Sequence, residues 1–514
     1  MKYISTRSNK KDLNPINSAE AILQGMAADG GLFVPEFIPR IKMNEIKALV
    51  EKRYESRAVD ILSKFLTDYT ADELNECAEL AYNWFDVQGR APIAVFSDNP
   101  NNDSKKTDNK NKKSHTTAVL ELWHGPTSAF KDMALQMLPQ LMRIALKKTG
   151  ETKQILILVA TSGDTGKAAL AGFADVPQTK IMVFYPDGGV SKIQRLQMVT
   201  QVGKNVNVTA VKGNFDDAQA GVKMIFNDES IRKQLLNSNV KLSSANSINW
   251  GRLVPQIVYY FSAYADLVSV KKINLGDTVN ITVPTGNFGN ILAAYYAKKM
   301  GLPVGKLICA SNINNILTDF FKTGIYDRNR SFFKTITPSM DILISSNLER
   351  LLYHETNDST RVKHFMDELN STGKYEIDKD LKKRFDKMFY ADYAGEDETK
   401  ATIKNIFDTM HYLVDTHTAV AITVANKYYQ NTGDKNPMIV ASTASAYKFA
   451  PAVLSALGEN IDNLGEFAQL VRLNNISDVR IPVNLENLKT AEVLHNDVCE
   501  KSEMADKVIQ FAQK

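Results

Sequence analysis

The chain has 514 residues, 44% apolar and 23% charged, and its 62 lysines and arginines against 58 acidic residues leave a net charge of +4. That balance belongs to a folded protein of about two to four domains and excludes a disordered chain or a large nucleic-acid surface. No apolar run approaches the ~20 residues that span a bilayer, the first residues lack a signal-peptide core, and Cys77, Cys309 and Cys499 are far apart with no CxxC. The expectation is a cytoplasmic protein with no metal site and no membrane or nucleic-acid partner.

In chain order, residues 1–96 open with turn-rich text and continue with helical stretches such as MNEIKALVEKRY. Residues 97–115, SDNPNNDSKKTDNKNKKSH, have almost no apolar content and carry Lys105, Lys106, Lys110, Lys112 and Lys113. Such a segment cannot bury enough surface to offset its ordering entropy, so it reads as a disordered surface insertion, with a basic partner-binding tract as the alternative.

From residue 116 short apolar runs alternate with amphipathic helices: QILILVATS before GDTGKAALAGFA, KIMVFYP before VSKIQRLQMV, VNVTAVKG before FDDAQAGVKMIF, VNITVPT before GNFGNILAAYYAKKM, then KLICASN, and MIVAST before ASAYKFAPAVLSAL. Strand, loop and helix in repetition predict an α/β fold, a parallel sheet with helices on both faces. Residues 325–410 break this rhythm with charged helical text (DKDLKKRFDKMF), which predicts a surface elaboration.

Ligands of such sheets bind at the carboxyl ends of the strands, so the strand-to-helix loops are the places to look. In HGPTSAFKDMALQ, residues 124–136, Lys131 sits at the mouth of a helix whose apolar positions run from Met133 through Leu135, Leu138 and Leu141. In PTGNFGN, residues 284–290, Gly286 and Gly289 open a helix and suit a phosphate at its N-terminus or simply a tight turn. TSGDTGKAA, residues 161–169, is no Walker loop: Thr161 stands where glycine is needed and Ala168 where Ser or Thr is needed. Its Ser162, Gly163, Thr165 and Gly166 form a seat for a carboxylate. ASTASAYKF presents the single hydroxyl of Thr443 just past a strand, for hydrogen bonding or for capping the next helix. An amine, a phosphate cradle, a carboxylate seat and one hydroxyl together match an aldehyde cofactor with a phosphate and a ring nitrogen, pyridoxal 5'-phosphate.

The segment HGPTSAFKDMALQ resembles the cofactor-lysine motif of the threonine synthase family. YISTRS from Tyr3, ADGGLFVPEFIP from Ala28, TSGDTGKAA, YPDGGVSKIQRLQM from Tyr185, SANSINWGR and PTGNFGNILAAYYAKKMGLP are also similar to that family, in the same order. The aspartate of SGDTG is similar to the longer fungal and bacterial branch. Three departures stand out: Ser8 where the family often has glycine, Gly189 where bacterial relatives often have lysine, and Ala444, Ser445 and Ala446 where many relatives have alanine, histidine and proline.

The resemblance implies a PLP enzyme of fold type II, the tryptophan-synthase-β group, with parallel twisted sheets flanked by helices. A large cofactor domain would comprise residues 116–149 and 271–514, a smaller mobile substrate domain 150–270, and an N-terminal region 1–96. It implies Lys131 as the catalytic Schiff-base lysine. Gly286, Asn287, Phe288, Gly289 and Asn290 would hold the cofactor phosphate, and Thr443 would face the ring nitrogen. Ser162, Gly163, Asp164, Thr165 and Gly166 would take the substrate carboxylate. Asn246, Ser247, Asn249 and Arg252 would take the substrate phosphate, with helix capping as the alternative. The implied reaction turns O-phospho-L-homoserine and water into L-threonine and phosphate, in a monomer or homodimer. A related deaminase or phospho-lyase, or a catalytically silent binding paralogue, is the competing expectation.

Overall fold

A computed structural model of the chain describes residues 1–8, 14–87, 89–96, 116–161 and 163–514. The lysine-rich stretch 97–115 and Ser162 lie outside the described residues.

Two sheets organise the molecule. The larger has six strands in the order Phe389–Tyr393, Val304–Ser311, Val279–Pro284, Met438–Ser442, Thr117–Glu121 and Ile93–Phe96. All neighbours run parallel except the last pair, where the end of the N-terminal region adds an antiparallel edge. The smaller sheet is wholly parallel, ordered Asp497–Cys499, Val206–Val211, Thr179–Pro186, Gln154–Ala160 and Val240–Ser243. The expected α/β class is what the chain adopts, and the apolar runs QILILVA, KIMVFYP, VNVTAV, VNITVP and MIVAS are strands of it. They read as unbroken apolar text because helices cover both faces of each sheet.

Three features depart from the expected organisation. The helix Trp250–Ser269, placed by the sequence in the smaller domain, packs against Gly289–Met300, Tyr54–Leu62 and Asp132–Leu135 in the large core. It is buried nearly all round, and an all-apolar helix needs the larger core to cover it. The last strand, Asp497–Cys499, and the helix Met504–Gln513 join the smaller sheet rather than the larger, through a strand too short and too exposed to show a pattern. Residues 325–410 are not merely a surface elaboration. Phe389–Tyr393 pairs with Val304–Ser311, and Ser339 and Asn347 reach the cleft described next.

Candidate active site

The loop after Thr117–Glu121 is stitched to the loop after Met438–Ser442. Ala129 bridges Ala444, the Phe130 N–H donates to the Thr443 carbonyl (2.8 Å), and the Ser445 N–H donates to the Ser128 carbonyl (3.1 Å). Asp132 folds the loop back by accepting from the Thr127 N–H (2.8 Å) and hydroxyl (2.6 Å), while burial pushes its carboxyl up to about 6. A Cβ on Gly125 would lie 2.5 Å from that of Asp132, so the turn requires glycine. Lys131 therefore stands at the start of the helix Asp132–Leu135, with Nζ 3.4 Å from Ser339 Oγ and 3.6 Å from Asp164.

Asp164 begins the helix Asp164–Phe173 on the smaller sheet, so this contact joins the two sheets. Its other oxygen lies 2.7 Å from Nζ of Lys448, a fully covered side chain that also donates to the Thr127 carbonyl (3.0 Å). Burial would raise the Asp164 carboxyl, yet Lys448 and Lys131 hold it well below the usual carboxylate range. Burial pushes Lys131 below the ordinary lysine value; Asp164 opposes the fall, and Lys448 and Arg252 add to it.

The third loop follows Val279–Pro284. Phe288 adopts a left-handed φ of 62° at the mouth of the helix Gly289–Met300, whose start carries no side-chain cap. Ser345 donates to the Gly286 carbonyl (2.7 Å) and Asn347 Nδ2 to the Asn287 carbonyl (3.1 Å). Asn290 Oδ1 accepts from the Tyr259 hydroxyl (2.7 Å) and from Tyr260, which leaves its Nδ2 buried with no partner. An orphaned donor beside a helix N-terminus suits a phosphate.

Residues 110–443 match the family model "Pyridoxal-phosphate dependent enzyme", residues 2–82 "Threonine synthase N terminus" and residues 418–496 "Threonine synthase, C-terminal". The chain belongs to the threonine synthase family of pyridoxal-phosphate dependent enzymes. It is 37% identical to Threonine synthase of Saccharomyces cerevisiae over 88% of this chain and 89% of that one. It is 41% identical to human Threonine synthase-like 1 over 94% of its own length, spanning 64% of that relative. The solved structure of PLP-bound threonine synthase from Brucella melitensis superposes with a TM-score of 0.85 at 34% identity, covering 100% of both chains. Among the described residues no helix is long and apolar enough to cross a membrane, and no cluster of metal-binding side chains occurs.

The cofactor of this family fits the residues present: a cleft lysine, a glycine loop at a helix start and an unpartnered amide donor. Gly286 is the tightest point of the cradle, because a Cβ there would lie 2.3 Å from the Ser339 carbonyl. Gly286→Ala must push two backbones apart, at a cost of about 1–3 kcal/mol. The expected result, read by titrating the variant with pyridoxal phosphate, is at least a tenfold loss of affinity (about 1.4 kcal/mol); wild-type affinity would remove the loop from the cofactor site.

The structure treats the remaining expected site residues unequally. Thr443 is buried, with its carbonyl bound to the Phe130 N–H of the Lys131 loop. Arg252 is buried, with Nη1 donating to the Ala245 carbonyl (2.9 Å) and Nε unpartnered. Asn249 takes the alternative role of helix cap: its Oδ1 caps Gly251 N–H (2.8 Å) and its Nδ2 donates to the Ile22 and Ser244 carbonyls, so it anchors the helix start and has no donor left for substrate. Asn246 is exposed, and Ser247 is half-buried with its carbonyl accepting from Asn347. In the carboxylate loop, the N–H groups of Gly163 and Gly166 both donate to Thr161 Oγ1 (3.0 Å each), and Asp164 is already an ion-paired anion. Among the described residues of this loop, a ligand carboxylate would meet the half-buried Thr165 and the uncapped start of the helix rather than the Asp164 side chain.

Sequence reasoning missed Lys448, Ser339 and Asn347. A lysine inside the apolar text AYKFAPAV was a usable sign of a buried, paired charge. Ser339 and Asn347 lie in text whose charge marked it as surface.

His124, in the same loop as Lys131, stacks on Trp123 (centroids 4.0 Å apart) with Nδ1 3.1 Å from Asp86 and Nε2 2.7 Å from Glu121. Burial works against its charge, but the hydrogen bonds to Asp86 and Glu121 prevail and raise it from 6.5 to about 9. A raised histidine contributes stability that is complete below its unfolded value and disappears as pH climbs through the folded one. With Asp86 solvent-facing, the wild type should lose about 2 kcal/mol between pH 6.5 and 9.5 that His124→Gln does not lose. Urea unfolding at both pH values checks this; parallel losses in the two proteins would refute it.

Proposed function

We propose that the chain is a threonine synthase, converting O-phospho-L-homoserine and water into L-threonine and phosphate. One observation carries the reading. Arg252 is a buried guanidinium with no carboxylate partner among the described residues, pushed down to about 10 by burial. An uncompensated buried cation costs several kcal/mol, so the site is built for an anion that arrives with a ligand. Arg252 is also among the cations that depress Lys131, which supports an anion received beside that amine.

Pyridoxal phosphate, when bound, supplies the electron sink that makes carbon-bound protons of an amino acid acidic. The chain's own residues do the rest. The Lys131 amine is placed to take and return protons at the substrate's α and β carbons. Arg252 holds the phosphate group through a planar fork of donors while the bond to the γ carbon breaks. Thr443, offering a neutral hydroxyl to the ring nitrogen, would favour a protonated ring less than a carboxylate would.

A second reading is breakdown of a phosphorylated amino acid to a keto acid, which would use the same cleft lysine and the same buried guanidinium. Incubation of the cofactor-loaded protein with O-phospho-L-homoserine separates the two: threonine plus phosphate supports the synthase, 2-oxobutyrate plus phosphate the phospho-lyase, and no product a silent paralogue. Cys77, Cys309 and Cys499 are free and buried, which suits the reducing cytoplasm in which we place the protein. Its assembly, monomer or homodimer, is a matter for light scattering.

A further inference from the structure

Among the described residues of the cleft, one carboxylate stands between two lysines. Asp164 reaches Lys448 at 2.7 Å and Lys131 at 3.6 Å, from opposite oxygens. Lys448 is completely covered and has a second fixed acceptor, the Thr127 carbonyl at 3.0 Å. Lys131 keeps a side chain 12% exposed, and its other neighbour is the neutral hydroxyl of Ser339 at 3.4 Å. We propose that Lys448 and Asp164 are positioning residues that decide which cleft lysine is the reactive amine: Lys448 occupies Asp164, leaving Lys131 free to lose its proton.

The physical argument is one of competition. A carboxylate facing a single lysine would hold that lysine as an ammonium, which has no electron pair for a carbonyl carbon. Here the shorter, drier pair forms with Lys448, where Coulomb attraction is strongest and water is excluded. Lys131 meets a carboxylate already neutralised by another cation, at a distance beyond a good hydrogen bond. Its ammonium can give a proton to solvent and keep the electron pair on Nζ. The surrounding charges act in the same sense. Arg252 adds a second cation facing Lys131. His417, near Asp164, is tied to Asp415 (2.9 Å). Asp132 spends both oxygens on Thr127, and Lys167 donates to Gln201 (2.6 Å). The arrangement also spans the two sheets, since Asp164 belongs to the smaller and both lysines to the larger. Lys131 is therefore tuned in this way only when the smaller sheet is drawn up to the larger.

The inference rests on Lys131 being the cofactor lysine, but its test needs no substrate. The full-length chain, stripped of cofactor, is labelled with a trace of acetic anhydride from pH 6 to 11 in the wild type, and Lys131 acetylation is followed by mass spectrometry against Lys167 and a surface lysine. The wild-type inflection for Lys131 should lie below the ordinary lysine value of about 10.4. In Lys448→Met, Asp164 turns wholly to Lys131 and its inflection rises by about one unit, a roughly tenfold drop in labelling at pH 8. Lys448→Arg should restore the wild-type profile, and Asp164→Asn should lower the inflection further. Superimposable Lys131 profiles in wild type and Lys448→Met would overturn the proposal. Should Lys448→Met not fold, the near-isosteric Asp164→Asn decides alone, and an unchanged or raised inflection there refutes it. A failure of this kind leaves threonine formation untouched, and a protein that makes no threonine can still show the shifted profiles.

Discussion

Lys131→Ala is expected to abolish the visible absorption of the cofactor-loaded protein and to lower turnover by at least about a thousandfold. The loop holds no other lysine, and the next amine in the cleft, Lys448, is locked between Asp164 and the Thr127 carbonyl. The change should leave folding intact, because among the described residues Lys131 makes two long polar contacts and its removal relieves a crowd of cations. Absorption spectra, single-turnover assays and thermal melting check the three parts. Retained absorption with retained turnover would move the Schiff base to another lysine.

Arg252→Ala is the second large effect. Removing one partner of a buried charge pair costs about 2–5 kcal/mol, so KM for O-phospho-L-homoserine should rise by roughly thirtyfold or more. Cofactor titration should be unchanged, since the phosphate cradle is built from Gly286, Asn290 and their supports Ser345 and Asn347. Arg252→Lys keeps the charge but not the planar fork and should fall between the two. The variant also frees the Ala245 carbonyl, so its melting temperature must be followed alongside. Unchanged saturation kinetics would reduce Arg252 to a residue that ties the Ala245 turn to the helix Trp250–Ser269.

Much of this site was readable because its chemistry is local. The SGDTG loop and the glycines of PTGNFGN each follow a strand of mostly apolar text, and the order of strand, loop and helix is a property of a few consecutive residues. Buried parallel strands need Val, Ile and Leu on both faces, and a backbone that approaches a phosphate needs glycine. These demands leave marks in sequence that no partner elsewhere in the chain can erase. The α/β class and the candidate cofactor residues follow from such marks, and the likeness of the ordered motifs to one family follows from several of them together.

Tertiary structure alone decided which groups meet. Asn249 and Arg252 stand three residues apart in the same stretch, SANSINWGR, yet one spends its amide on Ile22 and Ser244 while the other keeps a bare nitrogen. Lys448 and Asp164 are separated by most of the chain and belong to different sheets, and their pairing becomes visible only when the sheets are placed edge to cleft. Ser339 lies in text that charge marks as surface, and the helix Trp250–Ser269 lies in text whose place in the chain pointed to the smaller domain. A side chain's type and spacing set what it can do. Whether it does so depends on which donor, acceptor or charge arrives from a distant segment, and long-range packing leaves no periodic trace at either end.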